Sequence, residues 1–154
     1  MKNSMFLGMT CLLLTGLLSG CGNSAAESPD VELHPATGTI KLNGEPLGQA
    51  SVTFISNGTG TQYTYFGATD PEGKFVLKNR QGVEGCEAGQ FKVIVSKRVL
   101  SDGSPMPQED SPEAAAMAAD SKELLPPKFS SREATELMYE VAAGGQEIQI
   151  DLNE

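Results

Sequence analysis

Apolar and polar residues alternate in several short stretches of this chain, with the period of two that is typical of half-buried β-strands. The stretches are residues 38–42, 50–54, 62–69, 75–77, 91–96, 137–141 and 148–152. No helical pattern is long enough to cover a parallel sheet. The pattern therefore predicts an all-β domain, a seven-stranded antiparallel β-sandwich of two packed sheets. Val52, Phe54, Phe75, Val93, Val95, Ile148 and Ile150 are predicted to share its core, with Thr53 on the opposite face.

Turn sequences separate these stretches. Asn43-Gly44 follows the first, and both residues tolerate the positive φ of a tight hairpin, so a return strand over 50–54 is expected. Asp70-Pro71-Glu72-Gly73 predicts a structural turn, since two acidic residues are too few for a calcium site. Gly144-Gly145 is predicted to close a final hairpin.

Residues 97–132 interrupt the strand pattern before that last hairpin. They are rich in Pro, Ser, Asp and Ala, which indicates a long loop or a short helix inserted into the domain. Ser111-Pro112 resembles a helix start, as N-cap and first helical residue, and residues 114–119 would form the helix. We expect Leu124 and Leu125 to dock on the sandwich and the insertion to be dispensable for folding.

The chain begins with an apolar run, residues 5–18, that follows Lys2 and precedes Ser19-Gly20-Cys21. The run is shorter than the roughly 20 residues that span a bilayer, but it has the size of a signal-peptide core. With Leu18 three residues before Cys21, it resembles the lipobox of bacterial lipoproteins. The resemblance implies a signal peptide over 1–20, lipidation of Cys21 and attachment to the membrane through that lipid. Gly22 and Asn23 lack the aspartate that retains such proteins at the inner membrane, which suggests the outer membrane.

Removal of residues 1–20 from the 154 would leave 134 residues, enough for one domain. Residues 21–36 are predicted to be a flexible linker that includes the only histidine, His34, and residues 37–154 to be the β domain. Without Lys2 the chain has 10 basic and 20 acidic residues, a formal charge of about −10. That charge argues against binding to nucleic acid.

A second resemblance covers about residues 37–152 and rests on turn and core positions: Gly38, Ile40, residues 43–47, Ala50, Val52, Phe54, Thr69, Asp70, Gly73, Phe75, Gly89, Phe91, Val93 and Val95. At these positions the chain is similar to the carboxypeptidase regulatory-like domain, of transthyretin-like (prealbumin-like) topology. Its closing part, Leu125 to Ser131 followed by Thr135, Leu137 and Val141, is similar to bacterial lipoproteins built on that domain. The resemblance implies a structural or binding accessory without catalytic residues.

Candidate chemistry is sparse in this sequence. Cys86 would be the one cysteine left free, and its acidic neighbours Glu84 and Glu87 disfavour a thiolate, so a packed cysteine is preferred to a reactive one. With His34 alone, neither a zinc site, a serine triad nor the histidine-dependent chemistry of transthyretin-like hydrolases can be assembled. We therefore expect no catalytic residue, no metal and no cofactor.

Two functions fit these observations. The first is a noncatalytic lipid-anchored cell-envelope protein that acts as a structural or protein-interaction module. The alternative is a carbohydrate or small-ligand binding module at the cell surface, for which Tyr63, Tyr65 and Tyr139 are the candidate stacking residues. The partner would then be an envelope protein or a glycan, and the insertion is the expected place of partner contact.

Overall fold

The computed structural model describes residues 31–58, 62–107 and 112–153. The elements, in chain order, are β1 (Ala36–Leu42), β2 (Glu45–Pro46), β3 (Ser51–Ser56), β4 (Thr64–Ala68), β5 (Lys74–Val76), β6 (Gly89–Ser96), β7 (Arg98–Leu100), α1 (Pro112–Ala119), β8 (Ser121–Glu123), α2 (Pro127–Ser130), β9 (Met138–Val141) and β10 (Gln146–Leu152). The predicted signal peptide, Cys21 and the linker up to Asp30 lie outside the described residues. In the described ranges, neither helix has the length and apolar character needed to cross a membrane.

The first sheet is built around β1. This strand lies between β10 on one side and β2 and β5 on the other. β2 and β5 run antiparallel to β1, whereas β10 runs parallel to it over seven residue pairs, from Ala36 opposite Gln146 to Leu42 opposite Leu152. The prediction that every strand pair is antiparallel is therefore wrong for this sheet.

The second sheet is wholly antiparallel, in the order β4-β3-β6-β9. One buried cluster contains side chains from both sheets, which confirms the predicted all-β sandwich. Phe54 lies at its centre, with its ring centroid 5.8 Å from that of Phe91 and 6.3 Å from that of Phe75. All seven residues predicted for the core are buried. Thr53 lies on the opposite face and is half-buried.

The Asn43-Gly44 turn is confirmed, with φ of 52° and 89°. Its return strand is only the two-residue β2, and the predicted partner, β3, belongs to the other sheet. The buried Thr69 hydroxyl stabilises this change of sheet, since it donates to the Leu47 carbonyl at 2.7 Å and accepts from the Ala50 amide at 2.8 Å. The chain thus changes sheets between Leu47 and Ala50 without leaving these groups unpaired.

The predicted final hairpin is wrong. β9 pairs with β6 in the second sheet, and β10 pairs with β1 in the first. The physical reason is pairing length, because β9 has four residues whereas β1 offers seven positions to the seven residues of β10. Gly144 and Gly145, with φ of 96° and 86°, carry the chain from one sheet to the other.

The domain begins earlier than predicted. The backbone amide of His34 donates to the Cys86 carbonyl at 2.8 Å, and the Cys86 amide donates back at 3.0 Å. β1 then starts at Ala36, which is 1% exposed. The end of the predicted linker is therefore part of the sandwich, and His34 is a half-buried pairing residue rather than a solvated one.

The insertion divides into two parts of different character. Residues 97–123, here called the arm, contain the β7-β8 pair and α1, and thus the predicted helix; its predicted N-cap, Ser111, lies outside the described residues. The Glu123 carboxylate joins the base of the arm to the sandwich by accepting bonds from the Ser96 hydroxyl and from the amides of Lys97 and Leu125. Beyond the arm, Leu125 and Phe129 are buried in the core, while Leu124 is 50% exposed. The second part therefore belongs to the core, and the prediction that the whole insertion is dispensable is wrong for this part. The predicted docking is correct for Leu125 and wrong for Leu124.

Candidate functional site

The structure places Cys86 in the core and not at a reactive surface. Its side chain is fully buried, and burial, followed by the charge of Glu87, raises the pKa of the thiol to about 12. A thiol with this pKa carries almost no thiolate at neutral pH. The preferred interpretation, a packed cysteine, is confirmed.

The three candidate stacking tyrosines do not form an exposed platform. Tyr65 is 2% exposed and packs edge-on against Phe91, with ring centroids 5.8 Å apart. Tyr63 and Tyr139 are partly buried against the core, and the ring of Tyr139 lies 6.4 Å from that of Phe54. Burial raises the pKa of Tyr65 to about 12 and also raises that of Tyr139. These side chains therefore pack on the sandwich core and do not form a shared exposed platform.

Asp70 has the structural role predicted for it. Its Oδ1 accepts from the Lys74 amide at 2.8 Å, and its own amide donates to the Lys74 carbonyl at 2.8 Å. Gly73, with φ of 78°, completes the turn. In the described ranges, no three His, Cys, Asp or Glu side chains are grouped so that they could hold a metal ion.

A groove of about 710 Å³ opens where the two sheets meet at β4 and β5. Its floor contains Gly38, Gly67 and Phe75, and its walls include the exposed side chains of Phe66 and Val76. The remaining lining residues are Thr37, Thr39, Ala68, Asp70, Lys74, Lys78, Glu84 and Glu147. The groove therefore has an apolar centre with charged groups around it, as binding clefts commonly do.

The groove lies beside the junction of β4 and β5. Phe66 and Lys78 exchange two backbone hydrogen bonds of 2.8 Å, and Asp70 and Lys74 are bonded at the other end of the pair. Ala68 and Val76 lie between these two points, and both line the groove. The groove thus lies beside a junction of the two strands that main-chain bonds hold at both ends.

The charges around the groove have both signs. Lys78 and Glu84 form an ion pair of 3.2 Å, with side chains 49% and 67% exposed. An exposed pair of this kind contributes little to stability. Lys74, Asp70 and Glu147 complete the charged lining, so the groove does not select strongly for one sign of charge.

Sequence reasoning missed this groove, although one signal was available. Successive side chains of a strand point to opposite faces, so Tyr63 and Tyr65 share one face and Phe66 lies on the other. If the two tyrosines point into the core, Phe66 must point outward from β4. The other lining residues come from β1, β4, β5, β10 and the connecting segments that hold Asp70, Lys78 and Glu84, and only the tertiary fold brings these parts together.

Comparison of the chain with protein-family models, with curated proteins and with solved structures found no match.

Proposed function

We propose that this chain is a noncatalytic, lipid-anchored cell-envelope protein whose sandwich is a protein-interaction module. The observation that carries the proposal is the groove, where Phe66 and Val76, 40% and 38% exposed, flank a floor that contains two glycines and a phenylalanine ring. Apolar side chains held exposed by rigid strands are a common feature of contact sites. A partner side chain could be buried there with little rearrangement of the domain.

The anchor and the finer fold belong to the same proposal. Lipidation of Cys21 would tether the sandwich to the membrane, and Gly22-Asn23 favours the outer membrane. We also propose the transthyretin-like topology of carboxypeptidase regulatory-like domains. It is supported by two facing sheets, with the first and last strands adjacent in one of them.

The experiment is a crosslinked pull-down from intact envelopes. The test variant combines Phe66→Ser and Val76→Ser, which remove apolar groove side chains that are already exposed. The matched control combines Val83→Ser and Met138→Ser, two side chains outside the groove lining that are 53% and 46% exposed. Both variants should retain the wild-type unfolding midpoint, because none of these side chains is buried.

We expect a protein partner that crosslinks to the wild type and to the control but not to the groove variant. A partner captured equally by all three would overturn the groove as the contact site. Recovery of a glycan instead would support the alternative, a carbohydrate-binding module, and recovery of neither would contradict the proposal.

A further inference from the structure

The outer edge of β10 has no strand beside it in the described part of the chain. The Gln146 amide donates to the Pro35 carbonyl at 3.2 Å, and the Leu152 carbonyl accepts from the Asn43 amide at 2.8 Å, so the even-numbered residues of β10 face β1. In a parallel pair the residues between them direct their backbone groups to the other side. The amides and carbonyls of Glu147, Gln149 and Asp151 therefore point away from the sheet.

This edge is held firmly and is acidic. Ile148, Ile150 and Leu152 are no more than 2% exposed and anchor β10 in the core. The alternate side chains, Glu147, Gln149 and Asp151, are exposed. Glu147 and Asp151 are thus two carboxylates four residues apart on one face of a rigid strand. β10 itself carries no basic residue, and Lys41 of β1 lies opposite Asp151 on the side away from the free edge.

We infer that the β10 edge accepts an extended basic segment of a partner protein as an added strand. Main-chain pairing with the three outward residues would provide affinity, as in other complexes formed by strand addition. Side chains directly across a strand pair lie about 5 Å apart, so Lys or Arg opposite Glu147 and Asp151 would provide specificity. The inference rests on the proposed function, because it names a partner class for the same interaction module.

Charge decides between the possible occupants. A second copy paired antiparallel about Gln149 would place Glu147 against Asp151 twice, and like charges directly opposite each other destabilise a strand pair. Residues 22–30 of this chain contain Glu27 and Asp30 and no basic residue, so the same repulsion applies to them. A basic segment from another protein would instead place positive charges opposite Glu147 and Asp151, which stabilises a strand pair.

The test uses the mature full-length protein in detergent micelles and a fluorescent seven-residue peptide, Thr-Lys-Val-Thr-Val-Lys-Thr, whose lysines match the spacing of the two carboxylates. A second peptide has Glu in place of both Lys. We expect the lysine peptide to bind at least tenfold more tightly than the glutamate peptide, and Glu147→Lys with Asp151→Lys to reverse that preference. The matched control, Glu32→Lys with Glu72→Lys, makes the same change in net charge at exposed positions away from the edge. It should preserve the preference.

A backbone variant separates strand addition from simple charge attraction. Gln149→Pro removes an outward amide and leaves the bonds between β10 and β1 in place, as proline at a strand edge can. It should abolish binding of the lysine peptide, while Gln149→Ala should retain it. Thermal unfolding verifies that both variants fold. If the proline variant does not fold, the charge-reversed protein provides the test.

Equal binding of both peptides would overturn the inference, as would unchanged lysine-peptide binding to the charge-reversed protein. A wild-type dimer that Gln149→Pro dissociates would assign the edge to a second copy and overturn it as well. If any of these results occurs while the groove-dependent crosslinks are found, the proposed function stands without the edge. If the crosslinks are not found and the peptide selectivity is, the edge inference stands and the proposed groove contact does not.

Discussion

The ring of Phe75 lies directly against Gly38, so that a Cβ added to Gly38 would stand 2.6 Å from Phe75 Cζ. The two residues are opposite each other in the β1-β5 pair. Gly67 of the second sheet approaches the same ring, with its added Cβ 3.4 Å from Phe75 Cδ2. Two glycines from different sheets thus make room for one aromatic side chain, and the same three residues belong to the floor of the groove.

Gly38→Ala should therefore destabilise the domain by about 1 to 3 kcal/mol, the usual cost of overpacking a core. The control is Gly58→Ala, because an added Cβ at Gly58 has no atom within 4 Å and its φ is not positive. Urea unfolding of both variants checks this. The added Cβ also meets the Ile148 carbonyl oxygen of β10, so a loss at Gly38 no larger than that at Gly58 would show that both this carbonyl and the Phe75 ring can move without cost.

Phe54→Ala should cost about 3 to 5 kcal/mol, since the side chain is fully buried between the sheets. Thr53→Ala changes the opposite face of β3 and should cost little. Denaturant unfolding compares the two directly. Small and equal losses would contradict the assignment of inward and outward positions on β3.

The inward and outward positions could be predicted because they depend on local periodicity alone. Val52, Phe54, Val93 and Val95 alternate in the sequence, and each is buried as that alternation requires. Strand partners could not be predicted in this way. Nothing local in 137–152 distinguishes a hairpin from a crossover, and the outcome depends on β1, about a hundred residues earlier, with its longer free edge.

The candidate site was less predictable than the core for the same reason. The groove is lined by Gly38, Phe66 and Val76, which lie on the three strands β1, β4 and β5, and only the tertiary fold brings these strands together. The β10 edge likewise follows from strand order rather than from its own residues. Cys86 was predictable, because the acidic residues beside it in the sequence already disfavoured a thiolate.

Stability should fall as the pH rises above about 9. The pKa values of Cys86 and Tyr65 are each raised to about 12 by burial, from ordinary values of about 9 and 10. Between those limits the unfolded chain releases the protons and the folded protein retains them, so each group lowers the free energy of unfolding by up to about 1.4 kcal/mol per pH unit. Below pH 9 both states hold the protons, and these groups add no pH dependence.

The measurement for this pH dependence is the urea midpoint at about pH 8 and about pH 10, compared between wild type and Cys86→Ala. The variant should show a smaller decrease between the two pH values, whatever its stability at pH 8. Identical decreases in the two proteins would mean that the folded thiol titrates normally.

Cys21→Ala should abolish incorporation of labelled fatty acid, because the proposed diacylglyceryl group has no other attachment point than this thiol. Cys86→Ala is the matched control, since the buried Cys86 is not accessible for modification. Labelling in cells and detergent-phase partition check the two variants. Wild-type labelling of Cys21→Ala would contradict the proposed anchor.

Replacement of residues 101–121 by a short Gly and Ser linker should leave a cooperative unfolding transition. The arm is attached through the Glu123 carboxylate and the adjacent backbone, and loop closure costs little extra as a loop changes length. Phe129→Ala, just beyond the arm, should instead cost about 3 to 5 kcal/mol, because Phe129 is buried in the core cluster. Urea unfolding separates the two cases: loss of cooperativity in the arm replacement would place the arm in the folding unit, and a negligible effect of Phe129→Ala would remove α2 from it.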